Sequence, residues 1–379
     1  MKFDYNEEQQ LLSDSVRRFV AQDYAFEARR KIVASPEGCS AAVWATIADL
    51  GLLGLPFSSD AGGYGGGAVD LMSAMEAFGD ALVVEPYLST VMAAQFVARA
   101  GNAAQKERIL PAVIDGKMKM AFAQTERDAR YDLSLVNAVA NGSTLSGEKL
   151  AVMHAPVAHL LVISARSASG IGLYLVDAKA AGVTMRSFRT LDEVPAADVT
   201  FKSAPAERIG DGDALPLIAE VVDFATALVC AEAVGAIKYA NDATLEYIKT
   251  RKQFGVPIGA FQALQHRMVD MVISYEQAKS MASLACVKVD SERDPAERKR
   301  IVSAAKIKIA DAARHVSQES VQLHGGMGMS DELKVSHTFR RLTAIARQFG
   351  DADHHLARFV APAYAGPNWM PVTSSPPPS

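Results

Sequence analysis

The sequence predicts a mostly helical α+β protein in three successive parts: an N-terminal helical domain, a middle antiparallel β-domain and a C-terminal antiparallel four-helix bundle. Three observations predict it. Apolar residues recur at helical spacing in the first and last thirds of the chain. Between them the segments are short, β-branched and punctuated by turn residues. The composition, 379 residues with 49% hydrophobic and 22% charged, is that of a globular chain long enough for two or three domains. The expected limits are 1–117, 118–212 and 213–365, with 366–379 as a tail.

In EEQQLLSDSVRRFVAQ, Leu12, Val16 and Phe19 fall on one helical face. WATIADLGLLGLPF runs into SSDAGGYGGG, whose glycines release the backbone from steric limits. Helix resumes near Val69, and AQKERILPAVIDGK reads as a short helix closed by Asp115-Gly116. From Met118 the texture changes to NGSTLSGEKLAVMHA, HLLVISARS, IGLYLVDA and ADVTFKS, with Asn141-Gly142 and Ser169-Gly170 as hairpin turns. After Pro216, Leu217, Val221, Phe224 and Leu228 restore the helical period, and Leu264, Met268, Met271 and Tyr275 repeat it. Further helical runs cover about 297–323 and 333–362, with breaks at Gly255-Val256-Pro257 and His324-Gly325-Gly326, a bundle pattern. The Pro/Ser-rich end, GPNWMPVTSSPPPS, reads as disordered.

Several function classes are excluded. A net charge of −4 leaves no cationic footprint for nucleic acid. Cys39, Cys230 and Cys286 lie too far apart for a CxxC metal site or a disulfide framework. The absence of a long apolar run or a signal-peptide pattern points to a cytoplasmic protein without membrane insertion. There is no GxGxxG, P-loop, HExxH or GxSxG motif. His354 and His355 are neighbours on different helix faces, so no metal site is expected.

Two segments stand out: RKQFGVPIGAFQALQHRMVDM at 251–271 and QLHGGMGMSDELKVSHTFRR at 322–341. Each places polar or cationic side chains at a Gly- or Pro-rich helix break. Free backbone N–H groups and an arginine fork there suit a phosphate. The same pattern also fits a pair of solvated interhelical turns.

These segments, with the opening NEEQQLLSDSVRRFV, the block ending GGYGG, EPYLST and AFAQTE, resemble the acyl-CoA dehydrogenase family of flavoproteins over nearly the full length. The resemblance implies FAD held between subunits and α,β-desaturation of an acyl-CoA thioester. A carboxylate would take the α-proton while the flavin accepts hydride. By similarity, Arg251, Gln253, Phe254 and Phe261 meet the pyrophosphate and adenosine arm of FAD, and Gln322, Leu323, Gly325 and Gly326 its adenine and ribose end. Phe122, Gln124 and Thr125 are the implied flavin-side contacts.

The chain departs from the family pattern in two respects. Thr125-Glu126 runs into Arg127-Asp128-Ala129-Arg130-Tyr131 in place of Pro-Gly and small residues, and Ala151, Val152 and Met153 replace Trp-Ile-Thr. The usual base position carries Phe349 and the alternative one Ala225; neither takes a proton. Asp351, two residues on, is the remaining candidate base, with a helix-start carboxylate as the other reading. Asp223 and Glu232 read as solvated or packing residues.

FGDADHHLARF is similar to the small subunits of heteromeric enzymes acting on pimeloyl-type or steroid-side-chain thioesters. The resemblance therefore implies a second acyl-CoA dehydrogenase subunit in an α2β2 assembly, with this chain completing the partner's FAD site. The alternatives are a competent homo-oligomer or a non-redox acyl-CoA-binding scaffold. Electrons would pass to an electron-transferring flavoprotein.

Overall fold

A computed structural model describes residues 6–364. The N-terminal part holds α1 (Glu7–Asp23), α2 (Phe26–Ala34), α3 (Ala41–Asp49), α4 (Ala68–Ala81), α5 (Tyr87–Ala100) and α6 (Ala103–Ile114). Asn6 and Asn102 begin α1 and α6 with reciprocal capping boxes to Gln9 and Gln105. The start of α4 is capped from far away: Asp290 Oδ1 and Oδ2 accept the N–H groups of Ala68 and Val69 at 2.8 and 3.0 Å. Gly116, at φ 71°, turns the chain out of α6 as Asp115-Gly116 predicts.

Strands β1 (Met120–Ala123), β2 (Val139–Asn141), β3 (Thr144–Met153), β4 (Leu160–Ser167), β5 (Gly170–Asp177), β6 (Val183–Arg189), β7 (Pro195–Pro205) and β8 (Glu207–Ile209) form one sheet. Its order is β6-β7-β3-β2-β4-β5-β8, with β1 also paired to β4. The predicted turns close β2–β3 and β4–β5. The sheet is antiparallel apart from β1–β4 and the single β2–β4 pairing, which are parallel. No hairpin joins β1 to β4: β1 arrives from the helical part and pairs in parallel with residues 160–163 of β4.

The C-terminal part is built on α7 (Leu215–Thr250), α8 (Gln262–Ser291) and α9 (Pro295–His324). A small hairpin, β9 (Lys252–Gln253) with β10 (Val256–Pro257), separates the first two. The expected run 333–362 is two helices, α10 (Lys334–Ile345) and α11 (Ala352–Tyr364). They are broken where Phe349 and Gly350 take φ 60° and 130°. Buried Lys306 secures that break by donating to the Gly350 carbonyl at 2.7 Å and the Ala346 carbonyl at 3.3 Å. Burial lowers the Lys306 pKa to about 8. The tail expected at 366–379 lies outside the described residues.

α7 is the hub. Every residue from Val221 to Ile237 is buried, so the helix is walled in on all sides and shares three apolar clusters. Its polar residues Asp223 and Glu232 must therefore find partners inside the protein.

Candidate functional site

A cavity of about 1250 Å³ lies between the sheet and the C-terminal helices. The end of β1 contributes Phe122, Gln124 and Thr125; the irregular stretch of β3 contributes Ala151, Val152 and Met153. The register of β3 against β7 shifts between Lys149 and Val152, and Ala151 sits at φ 50°. Leu88, Ser89 and Met92 of α5 form another wall with Leu215, Pro216, Ala219, Glu220, Val222 and Asp223 of α7.

The strand ends are pinned from beneath by a buried ion pair. Lys149 Nζ lies 2.8 Å from Glu126 Oε1, 2.9 Å from Ser164 Oγ and 3.1 Å from the Gln124 carbonyl. Burial pulls the lysine down to about pKa 8 against the pull of Glu126. For Glu126, burial is outweighed by bonds from Lys149 and the N–H groups of Ala138 and Asn137, which hold it below the usual carboxylate range.

At the opposite wall Arg341 of α10 grips Glu232 of α7 bidentately, at 2.6 and 2.8 Å, and Asp192 of the β6–β7 turn at 2.7 Å. The next residue, Glu193, at φ 73°, meets Arg29 of α2 at 3.2 Å and His337 of α10 at 3.3 Å. The bond to His337, then Arg29 and Arg340, bring Glu193 down to about pKa 2 against the effect of burial. The turn at 190–193 thus ties the sheet to α2 and α10.

The predicted site residues separate into two places. Phe122, Gln124 and Thr125 line the cavity with Ala151–Met153. Arg251, Gln253 and Phe254 stand on the exposed β9–β10 hairpin; Phe254 is 91% exposed, and Phe261 touches it edge-on at 6.2 Å. Gln322, Gly325 and Gly326 are exposed at the end of α9, whereas the Leu323 side chain packs in the bundle core. None of these adenosine-side residues lines the cavity.

Phe349 reaches the cavity and packs against the apolar cluster that holds Val222 and Ala225. Both positions where a base is expected are apolar, and Ala225 is buried without lining the cavity. Asp351 is not among the cavity-lining residues. Its Oδ1 accepts the His354 N–H at 2.9 Å at the start of α11, and its other oxygen lies 3.8 Å from Arg130. Asp223 and Glu232 are not solvated: both are buried and ion-paired, Asp223 with Arg298 and Arg358. The arginines of the cavity wall carry no local signature, because their partners lie far away in sequence.

A family model described as the acyl-CoA dehydrogenase N-terminal domain matches residues 6–117, and one for the C-terminal domain matches residues 215–359. The chain belongs to the acyl-CoA dehydrogenase family. It is 28% identical over 355 residues to an L-prolyl-[peptidyl-carrier protein] dehydrogenase of Serratia sp., covering 88% of this chain and 90% of that one. Among solved structures, a variant of the Tcur3481–Tcur3483 steroid ACAD is 28% identical with a TM-score of 0.87, over 95% of this chain and 99% of that one. PigA with FAD and proline is 25% identical with a TM-score of 0.88, over 96% and 99% of the two chains.

The residues present fit FAD. Gln124 Oε1 is buried without a hydrogen-bond partner at the cavity wall, an acceptor matched by the N–H on the pyrimidine edge of isoalloxazine. A Cβ built on Gly325 or Gly326 meets nothing within 4 Å, so the backbone there is open to close approach. Arg251 has no ion-pair partner among the described residues. Among the described residues no group of three or more His, Cys, Asp or Glu is placed to hold a metal. No described helix is long and apolar enough to cross a membrane.

Proposed function

We propose that this chain is an FAD-dependent acyl-CoA dehydrogenase subunit that works with a second, unlike acyl-CoA dehydrogenase subunit in an α2β2 enzyme. Bound FAD supplies the hydride acceptor for α,β-desaturation of a thioester. The carrying observation is that the expected base positions hold Phe349, on the cavity wall, and Ala225, buried in an apolar cluster, and neither side chain takes a proton. Arg251, Gln253 and Phe254, with Gln322, Gly325 and Gly326, are exposed and lie outside this chain's own cavity, as residues that complete a neighbour's cofactor site must be. The pairing of two named components in the similar steroid ACAD supports the same reading. The proposed electron acceptor is an electron-transferring flavoprotein, and the proposed location is the cytoplasm.

Within the cavity, Phe122 and the β3 segment 151–153 form a largely apolar wall beside Gln124 and Thr125. The Arg341–Asp192–Glu232 lock keeps these walls at a constant separation. One observation favours a second reading, a homo-oligomer that holds flavin in its own cavity: the orphaned Gln124 Oε1 awaits a donor.

Purification of the chain alone and with the product of its genomic neighbour separates the two. The heteromer predicts sub-stoichiometric flavin absorbance and no turnover for the lone chain, with both restored on co-expression. Full FAD occupancy and turnover by the lone chain would overturn it.

A further inference from the structure

We propose that Arg298 and Arg358 form an oxyanion site in the cavity wall that binds either a carboxylate on the acyl group or a phosphate of the CoA moiety. This rests on the acyl-CoA reading above and names the chemistry that the cavity selects.

Asp223, 1% exposed, lies between the two guanidinium groups. Arg298 donates Nε–H to its Oδ2 at 3.3 Å, and Arg358 donates from Nη2 to its Oδ1 at 2.7 Å. One carboxylate therefore faces two permanent cations, both nearly buried, and a positive excess remains. A guanidinium carries five N–H donors. Each arginine here makes a single side-chain hydrogen bond among the described residues, and both line the cavity.

The neighbouring charges do not cancel the excess. Arg293 and Lys299 line the same cavity and make no ion pair among the described residues. Of the nearby carboxylates, Glu292 is held by Lys288 at 3.2 Å and Glu220 by Arg99. A wholly apolar ligand would strip water from these donors and return nothing, a costly outcome for buried polar groups. An oxyanion matches the forked donors and the charge together.

The test uses the co-purified complex and calorimetric binding of four probes: hexanoyl-CoA, adipoyl-CoA and the N-acetylcysteamine thioesters of the same two acids. If the anion is the acyl carboxylate, Arg358→Gln weakens both adipoyl probes roughly tenfold to a hundredfold more than their hexanoyl counterparts. If it is a phosphate, the variant weakens both CoA esters by that factor relative to the two phosphate-free thioesters. Asp223→Asn removes the competing carboxylate and tightens the same ligands that Arg358→Gln weakens, so a single misfolded variant does not decide the outcome. Equal losses across all four probes, or no binding of any probe, would overturn the site. A complex that desaturates no thioester at all would sink the dehydrogenase reading, and selective binding of these probes would still leave this one standing.

Discussion

Gly79 of α4 and Gly235 of α7 are reciprocal contact points where the two helices cross. A Cβ on Gly79 would lie 1.8 Å from the Glu232 carbonyl oxygen, and one on Gly235 would lie 1.8 Å from that of Glu76. The crossing is thus backbone against backbone, and it seats Glu232 with its side chain on Arg341. Alanine favours an isolated helix over glycine by about 1 kcal/mol. Here the clash is with main-chain atoms that cannot swing away, so overpacking outweighs that gain. Gly79→Ala and Gly235→Ala are each expected to destabilise by about 2–4 kcal/mol, read as a lower denaturant midpoint. Wild-type stability in both variants would show that the helices do not approach this closely.

Arg341→Met should be more severe than either acidic substitution at its partners. It leaves Asp192 and Glu232 buried without their shared cation, a loss of about 3–5 kcal/mol. Chemical denaturation measures it. Because the turn at 190–193 then loses its anchor on α10, limited proteolysis should cut there first; unchanged protection would argue that the lock does not set the cavity walls.

Acid should destabilise the fold well before ordinary carboxylates titrate. Burial holds His154 at about pKa 4 and His355, beside Lys306 and Arg358, at about 2. Unfolded histidine takes up its proton near pH 6.5, so between that pH and the folded values the unfolded chain binds more protons. Stability therefore falls as pH drops below about 6.5. His154 alone contributes a loss of about 3 kcal/mol by pH 4. Melting curves from pH 7.5 to 4.5 should show the decline, and His154→Asn should make it shallower. An identical slope in that variant would exclude His154 as a source.

Asp351→Asn should leave turnover of the co-purified complex within about twofold, because asparagine also caps a helix start and the side chain is not on the cavity wall. Steady-state kinetics checks this. A loss of a hundredfold or more with an unchanged melting temperature would make Asp351 the base after all.

Much of the fold was legible because it depends on local rules. Asp115-Gly116 announces the end of α6, Asn141-Gly142 announces a hairpin, and the periodicity of α7 announces a core helix. The break before α11 was less legible: the helical pattern runs on through it, and what stops it is the positive φ of Phe349 and Gly350, with Lys306 holding the Gly350 carbonyl. On the site, similarity pointed to Phe122, Gln124 and Thr125, which share the cavity, and to a separate exposed edge at Arg251 and Gln322. It missed the arginines altogether.

By itself the sequence determined the order of helical, sheet and helical layers, which follows from short-range spacing, and its resemblance to the acyl-CoA dehydrogenase family pointed to Phe349 and Ala225 as base positions without a carboxylate. Only the tertiary structure decided which charges meet. Asp223 takes its partners from 75 and 135 residues away, and Arg341 takes Glu232 and Asp192 from 109 and 149 residues away. Buried ions must be paired, but periodicity says only that a residue faces inward; the packing of α7 against α9, α10 and α11 chooses the partner.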